Sequence, residues 1–298
     1  MFNRVLIAID ENTSGRDAIA LGLRLVSPTG KVVLAYVHPR CGTRERDDAE
    51  DVNRVEREVA LGFLDSVNRE LGLDAEVCSI GSNRIGAGLH RLAERTQADL
   101  LVLGSSAGGR RGRVLLTDET RHALNGAPCA VAAAPLDYAD TGSAITEIGV
   151  AYNDGSQESR SAILVARALA NDLGATLTAF EALPLPIYDI GPGVWSTLEE
   201  VIRDQCRTAC ARIAEETGLR ASAACGDTVA ELAMFSGIVD LLVVGSRSYG
   251  PLGRLVHGST TLRLSRYARS PLLILTRGAR LQGTGPPPQA VDLATTKF

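Results

Sequence analysis

Short apolar runs alternate with longer stretches of helical periodicity along most of this chain. Residues 4–9 read as a strand, and 14–26 as a helix stopped by Ser-Pro-Thr-Gly at 27–30. A second strand, rich in β-branched residues, is predicted at 31–37. Over 49–71, Val52, Val55, Val59, Phe63 and Val67 recur at three- and four-residue spacing. They predict a long helix with its apolar face on those positions and its stop at Gly72. Strands at 74–80, 100–103 and 129–133 and helices at 87–96 and 118–125 complete the series. The order then recurs, with helices at 157–173, 197–217, 229–236 and 259–268.

The repetition reaches residue identity. Asp99-Leu100-Leu101-Val102-Leu103-Gly104-Ser105 returns 141 residues later as Asp240-Leu241-Leu242-Val243-Val244-Gly245-Ser246, and the same offset carries Val131 to Leu272. "VLIAID" from Val5, followed by Ser14 and Ala18, is echoed by "IGVAYNDGS" from Ile148, followed by Ser159 and Ala162. That echo lies at an offset two or three residues larger. Two homologous halves follow. Short strands alternating with amphipathic helices require a parallel sheet covered on both faces, and right-handed crossovers wind it in both directions. The expected fold is therefore α/β: two tandem doubly wound (Rossmann-like) domains, each a five-stranded parallel sheet with helices on both faces. The first spans 1–137, a linker 138–146, the second 147–278, and a tail with a Pro triplet, 279–298, reads as disordered. Ligands of such sheets sit beyond the carboxyl ends of the strands, where strand order reverses.

A length of 298 residues suits two domains, and 4% aromatics means aliphatic cores. The net charge of −4 gives no general attraction to nucleic acid or an anionic membrane. The apolar run at 5–9 ends in Asp10 and Glu11, too short for an export signal, and no run is long enough to span a bilayer. The expected location is cytoplasmic. The cysteines at 41, 78, 129, 206, 210 and 225 form no CxxC and read as reduced thiols. Cys206 and Cys210 share a helix face, but no histidine lies nearby to complete a metal set.

One segment stands out, "GSRSYGPLGRLVHGST" at 245–260, directly after the strand-like 241–244. Counted from Gly245, Ser248 stands at +3, Gly258 at +13 and Ser259 at +14, followed by Thr260 and Thr261. A chain leaving a strand for a helix exposes N–H groups that no carbonyl satisfies, and small residues let a phosphate approach them. Arg247 and Arg254 could screen its charge. The plainer reading is that Gly245 and Gly250 make turns while Ser259 caps a helix. This segment, the strand before it and "SPLLIL" after it resemble the C-terminal signature of the universal stress protein family. That signature is Gly, two residues, Gly, nine residues, then Gly and Ser or Thr. "VLIAIDENTSGRDA" and "IGVAYNDGSQESRSA" resemble the family's opening strand, acidic residue and first helix, so the likeness covers nearly the whole chain in tandem form.

The family has ATP-binding and non-binding members. For the second half the resemblance implies phosphate and ribose contacts at Val244, Gly245, Arg247, Ser248, Gly258, Ser259, Thr260 and Thr261. It implies an acidic role for Asn153 or Asp154, and adenine contacts for the backbone at Glu181 and Ala182. The ligand would be ATP or a related adenine nucleotide, with Mg²⁺ accompanying it. It also implies that the last strands pair the two halves as a pseudo-dimer, with which a further homodimer is compatible. Ser248 departs from the motif's second glycine, and the first strand of the second half carries an extra residue relative to the first half. The first half departs further, with Ala107, Thr117 and Asp118 at +3, +13 and +14. A carboxylate at that helix start caps the N–H groups a phosphate needs. It also repels the phosphate by about 4 kcal/mol at ~4 Å and an effective dielectric near 20. Arg110, Arg111 and Arg113 read as a solvated run, and the first half as structural.

His257, beside Gly258, could touch a phosphate or lie on the surface, and His38 lies at the carboxyl edge of the sheet. No Ser-His-Asp order with a nucleophile elbow, HExxH or Walker lysine is present, so no catalytic residue, no metal ligand and no enzyme is expected. Asp99 and Asp240 read as matched turn or cap residues, and the 182–195 loop as a lid or packing surface peculiar to the second half. Three functions compete: a nucleotide-binding stress regulator, a ligand-free interaction module of the same family, and a slow ATPase or adenylyl-transfer enzyme. The last lacks a base or metal cluster.

Overall fold

The four-residue runs Leu100–Leu103 and Ala130–Ala133 are buried along their whole length, as only a strand covered on both faces can be. A computed structural model of the chain describes residues 1–10, 14–40, 46–141, 144–153, 156–185, 195–245 and 259–275. The first half runs β1 (Phe2–Ala8), α1 (Ser14–Leu25), β2 (Val26–His38), α2 (Arg46–Glu70), β3 (Glu76–Gly81), α3 (Ile85–Thr96), β4 (Leu100–Leu103), α4 (Asp118–Leu124) and β5 (Ala130–Ala133). A short α5 (Tyr138–Thr141) leads into β6 (Glu147–Ala151), α6 (Gln157–Leu173), β7 (Thr176–Leu183), α7 (Trp195–Thr217), β8 (Arg220–Cys225) and α8 (Thr228–Phe235). β9 (Leu241–Gly245), α9 (Ser259–Leu264) and β10 (Leu272–Leu275) complete the second half. None of the described helices is long and apolar enough to cross a membrane.

Strand order is β3-β2-β1-β4-β5-β10-β9-β6-β7-β8, ten strands in one sheet among the described residues. Each half is a parallel five-stranded, doubly wound unit. The halves meet where β5 and β10 pair antiparallel, Val131 opposite Ile274 and Ala133 opposite Leu272. Successive strand residues feed two cores. Val5, Ile7, Leu100 and Val102 pack with α1 and α6 on one face, while Leu6, Leu101 and Leu103 pack with α3 and α8 on the other.

Two expectations are corrected. The Ser-Pro-Thr-Gly stop at 27–30 belongs to β2, whose start pairs with Phe2 across an irregular register. In α2, Val52, Val55 and Val59 are exposed at 44%, 53% and 62%, while Phe63 and Val67, as expected, pack against the core beside the fully buried Leu64. The amino-terminal turns of α2 thus carry the periodicity without a partner surface. The connection between the halves is packed. Leu136 and Tyr138 are buried, and the buried Asp17 carboxylate accepts the Asp137 and Ala139 N–H groups at 2.8 Å. Burial pushes the Asp17 carboxyl up, and those two N–H groups offset it only in part. The 279–298 tail lies outside the described residues.

Candidate functional site

In the second half β6 lies between β7 and β9, so strand order reverses between β6 and β9, and a crevice opens beyond their carboxyl ends. The cavity there is about 230 Å³. The predicted residues Asn153, Ala182, Val244, Gly245, Thr260 and Thr261 line it together. Gly245 is required by packing. A Cβ on it would sit 2.8 Å from the Glu158 carbonyl oxygen, so β9 ends hard against the first turn of α6.

The wall formed by α6 is held by hydroxyls. Ser156, the N-cap, accepts the Ser159 N–H at 3.2 Å and donates to Ser159 Oγ at 2.8 Å. Ser159 Oγ in turn accepts the Asn153 N–H at 2.9 Å and donates to the Asn153 carbonyl at 3.0 Å. The β6–α6 turn is thereby fixed with Asn153 at the mouth. Sheet register assigns the place of Asn153. Val5 pairs with Leu100 and Ile148 with Leu241, so Ile9 corresponds to Tyr152 and Asp10 to Asn153. Ile9 and Tyr152 donate equivalent N–H bonds, to Ala35 and Phe180. The strands β1 and β6 therefore keep one offset as far as Asn153, and no extra residue lies in the strand, where the sequence suggested one. An amide stands where the first half has a carboxylate.

Glu181 turns away from the cavity. Its buried side chain pairs with Arg212 at 2.5 Å, and Arg212 also lies 3.7 Å from Glu216, which accepts the Tyr152 hydroxyl. Its neighbour Ala182 faces the crevice, as strand alternation requires. Asp154, Arg247, Ser248, Arg254, His257 and Gly258 lie outside the described residues, as does most of the 182–195 loop. Ser259 opens α9. Glu158, Thr228, Leu232 and Leu264 also line the cavity. Sequence reasoning missed them because α8 and α9 are brought in by tertiary packing, and only the Ser-x-x-Ser spacing of Ser156 and Ser159 signalled the turn.

In the first half the loop after β4 is held by its own hydrogen bonds. Ser105 Oγ donates to the Ala134 carbonyl at 2.6 Å and accepts the Leu115 N–H at 3.0 Å, while the Ser106 N–H reaches the Leu115 carbonyl at 2.8 Å. The loop folds back on itself with Val114 and Leu116 buried, at 0% and 2% exposure. Arg110 and Arg111 are exposed, as the sequence suggested, and two of the arginines also make ties. Arg111 pairs with Asp137 at 2.7 Å, and Arg113 donates to the Tyr267 carbonyl at 3.1 Å.

The sequence profile described as the Universal stress protein family matches residues 1–135 and again 145–276. A universal stress protein of Mycobacterium tuberculosis is 27% identical over 203 residues, 64% of this chain and 68% of that protein, and one of Mycobacterium bovis matches equally. Among solved structures, a universal stress protein from Archaeoglobus fulgidus superposes with a TM-score of 0.64 at 16% identity, covering 93% of this chain and 99% of that one. A putative universal stress protein from Pseudomonas aeruginosa gives 0.61 at 19% identity, covering 92% and 93%. With the profile matched twice and the fold shared along both halves, this chain belongs to the universal stress protein family, in its tandem form.

Proposed function

We propose that the second half binds an adenine nucleotide, ATP or a close relative, and that binding rather than catalysis is how the protein acts in a stress response. The observation that carries this reading is the crevice at the strand-order reversal of the second half, lined by Asn153, Ala182, Gly245, Thr260 and Thr261. The nucleoside would lie toward Asn153 and Ala182, and the phosphates toward Gly245 and the start of α9. No group of three or more His, Cys, Asp or Glu side chains among the described residues could hold a metal ion. Mg²⁺ would accordingly arrive with the phosphates and keep water as its other ligands.

Titration of the purified protein with ATP, ADP and AMP tests the reading. Saturable binding is expected, abolished by Gly258→Asp with the fold unchanged. The absence of saturable binding at millimolar nucleotide favours the second reading, a ligand-free interaction module, for which the presence of the acidic residue Glu158 in the crevice lining speaks. Steady turnover that disappears in Ser259→Ala would overturn the non-enzymatic part.

A further inference from the structure

The first half carries a separate concave site on the α2 side of its sheet, at the carboxyl ends of β2 and β3 rather than at the strand-order reversal. The cavity, about 410 Å³, is lined by His38, Arg40, Arg54, Arg57, Ser79 and Arg95. Glu50 is the one carboxylate in its described lining. Four guanidinium groups against one carboxylate is an unusual concentration in a chain of net charge −4. They come from three places in the fold, the end of β2, the middle of α2 and the last turn of α3. Arg54 is engaged by Asp51 at 3.0 Å. Among the described residues, Arg40, Arg57 and Arg95 are in no ion pair. Among the described residues the basic lining is therefore assembled by the fold and left largely unneutralised.

A second observation, independent of the charges, points into the same cavity. Ser79 on β3 is 7% exposed, and its Oγ has no hydrogen-bond partner. A buried hydroxyl left unsatisfied costs about 1–3 kcal/mol, and native structures keep few of them. Val77, two residues earlier on the same strand face, packs into the α2 core, so an apolar side chain would fit this face. His38 is also fixed at the rim. Its Nδ1 lies 3.0 Å from the Pro39 carbonyl, which makes that nitrogen the donor. Its ring lies so close to Gly81 that a Cβ there would come within 3.0 Å of Cε1.

Guanidinium groups bind phosphate oxygens in pairs and hold their charge at any physiological pH. Three of them exceed what a single carboxylate needs and can spread along a chain of phosphates. The cavity volume is in the range of small-molecule sites. We propose that this cavity binds a small phosphorylated ligand with a di- or triphosphate chain, gripped by Arg40, Arg57 and Arg95, with the Ser79 hydroxyl donating from the floor. The site does not depend on the nucleotide reading of the second half.

Calorimetric titration of the full-length protein with inorganic pyrophosphate at low ionic strength tests this. Saturable binding is expected, at least fivefold tighter than that of inorganic phosphate or sulfate, and retained in Gly258→Asp. The double variant Arg57→Ala/Arg95→Ala should weaken it at least tenfold, and Ser79→Ala severalfold. Arg57→Gln/Arg95→Gln serves as the second form should the alanine pair fold poorly. Equal affinity for sulfate, unchanged affinity in the arginine variants, or binding lost in Gly258→Asp but kept in the arginine variants would each overturn the proposal.

Discussion

Gly245 has a packing role that its sequence context does not show. In the sequence it reads as a small residue that lets a phosphate approach or, more plainly, as a turn former. In the structure the missing side chain is what lets β9 approach the Glu158 carbonyl. Gly245→Ala should lower the unfolding free energy by about 1–3 kcal/mol, as overpacking does, and should weaken nucleotide binding as well; urea denaturation and titration measure the two effects. Asp99 and Asp240 were legible as a repeated pair, but not their task. Asp99 accepts the Asn3 and Arg4 N–H groups at 2.8 and 2.9 Å, and Asp240 accepts those of Thr146 and Glu147 at 2.8 and 2.9 Å. Each carboxylate ties the entry of a neighbouring strand. Burial pushes the Asp240 carboxyl up, but the two N–H groups and the Thr146 hydroxyl together outweigh it and hold it below its ordinary value. A carboxyl lowered by folding stabilises the native state fully above its unfolded pKa and loses that contribution as pH falls through the folded one. Asp240→Asn should therefore destabilise the protein near neutrality, and the gap from the parent should shrink in acid below about pH 4, near the unfolded aspartate pKa. Denaturant midpoints across pH 3–7 read this directly.

Among the elements, strands were the most legible because an aliphatic run of four or five residues in this context has one use. Helix faces were less so. In α2 the spacing of Val52, Val55 and Val59 continues that of Phe63 and Val67, yet only the later turns lie over the sheet, with Leu64 fully buried. Periodicity gives the direction of a face and not how far the opposing surface extends. Leu64→Ala should cost about 2–5 kcal/mol, whereas Val55→Ala should stay within about 0.5 kcal/mol; paired denaturation curves distinguish the two faces. The closure of the loop after β4 was hidden for a related reason. Its arginine run dominates the composition, while the buried Val114 and Leu116 that close it are only two aliphatic residues in a polar stretch. The thiols follow the same logic at the level of their elements. Cys206 on α7 and Cys225 on β8 have their sulfurs 3.7 Å apart, a contact invisible to spacing rules because 19 residues separate them. Burial and the neighbouring Cys225 push the Cys206 thiol up to about 11, and burial pushes Cys129 up to about 12. Alkylation by iodoacetamide should accordingly be slow at pH 7.5 for Cys206 and slower still for Cys129, as site-resolved mass spectrometry would record; rapid labelling of Cys129 in the native protein would contradict its burial.

At the scale of the whole molecule, the sheet passes through the boundary between the halves. The β5–β10 pair contributes Ala132 and Leu273, both fully buried, and backbone ties cross beside it, with the Val114 N–H on the Ala268 carbonyl at 2.9 Å. The sequence made the repeat plain and the resemblance implied pairing through the last strands, while the antiparallel register that turns two five-stranded sheets into one comes from pairing geometry. Because each half's edge strand is covered by the other, neither half can unfold without exposing an unpaired apolar edge. Unfolding should therefore be cooperative over both. The lone tryptophan, Trp195 at the start of α7, reports on the second half, while far-UV circular dichroism averages the whole chain. The two signals should give coincident urea transitions. Leu273→Ala, at the seam, should shift both together by an amount corresponding to about 2–5 kcal/mol. A tryptophan transition separated from the circular dichroism transition, or a Leu273→Ala shift confined to fluorescence, would mean that the seam joins two independently stable domains.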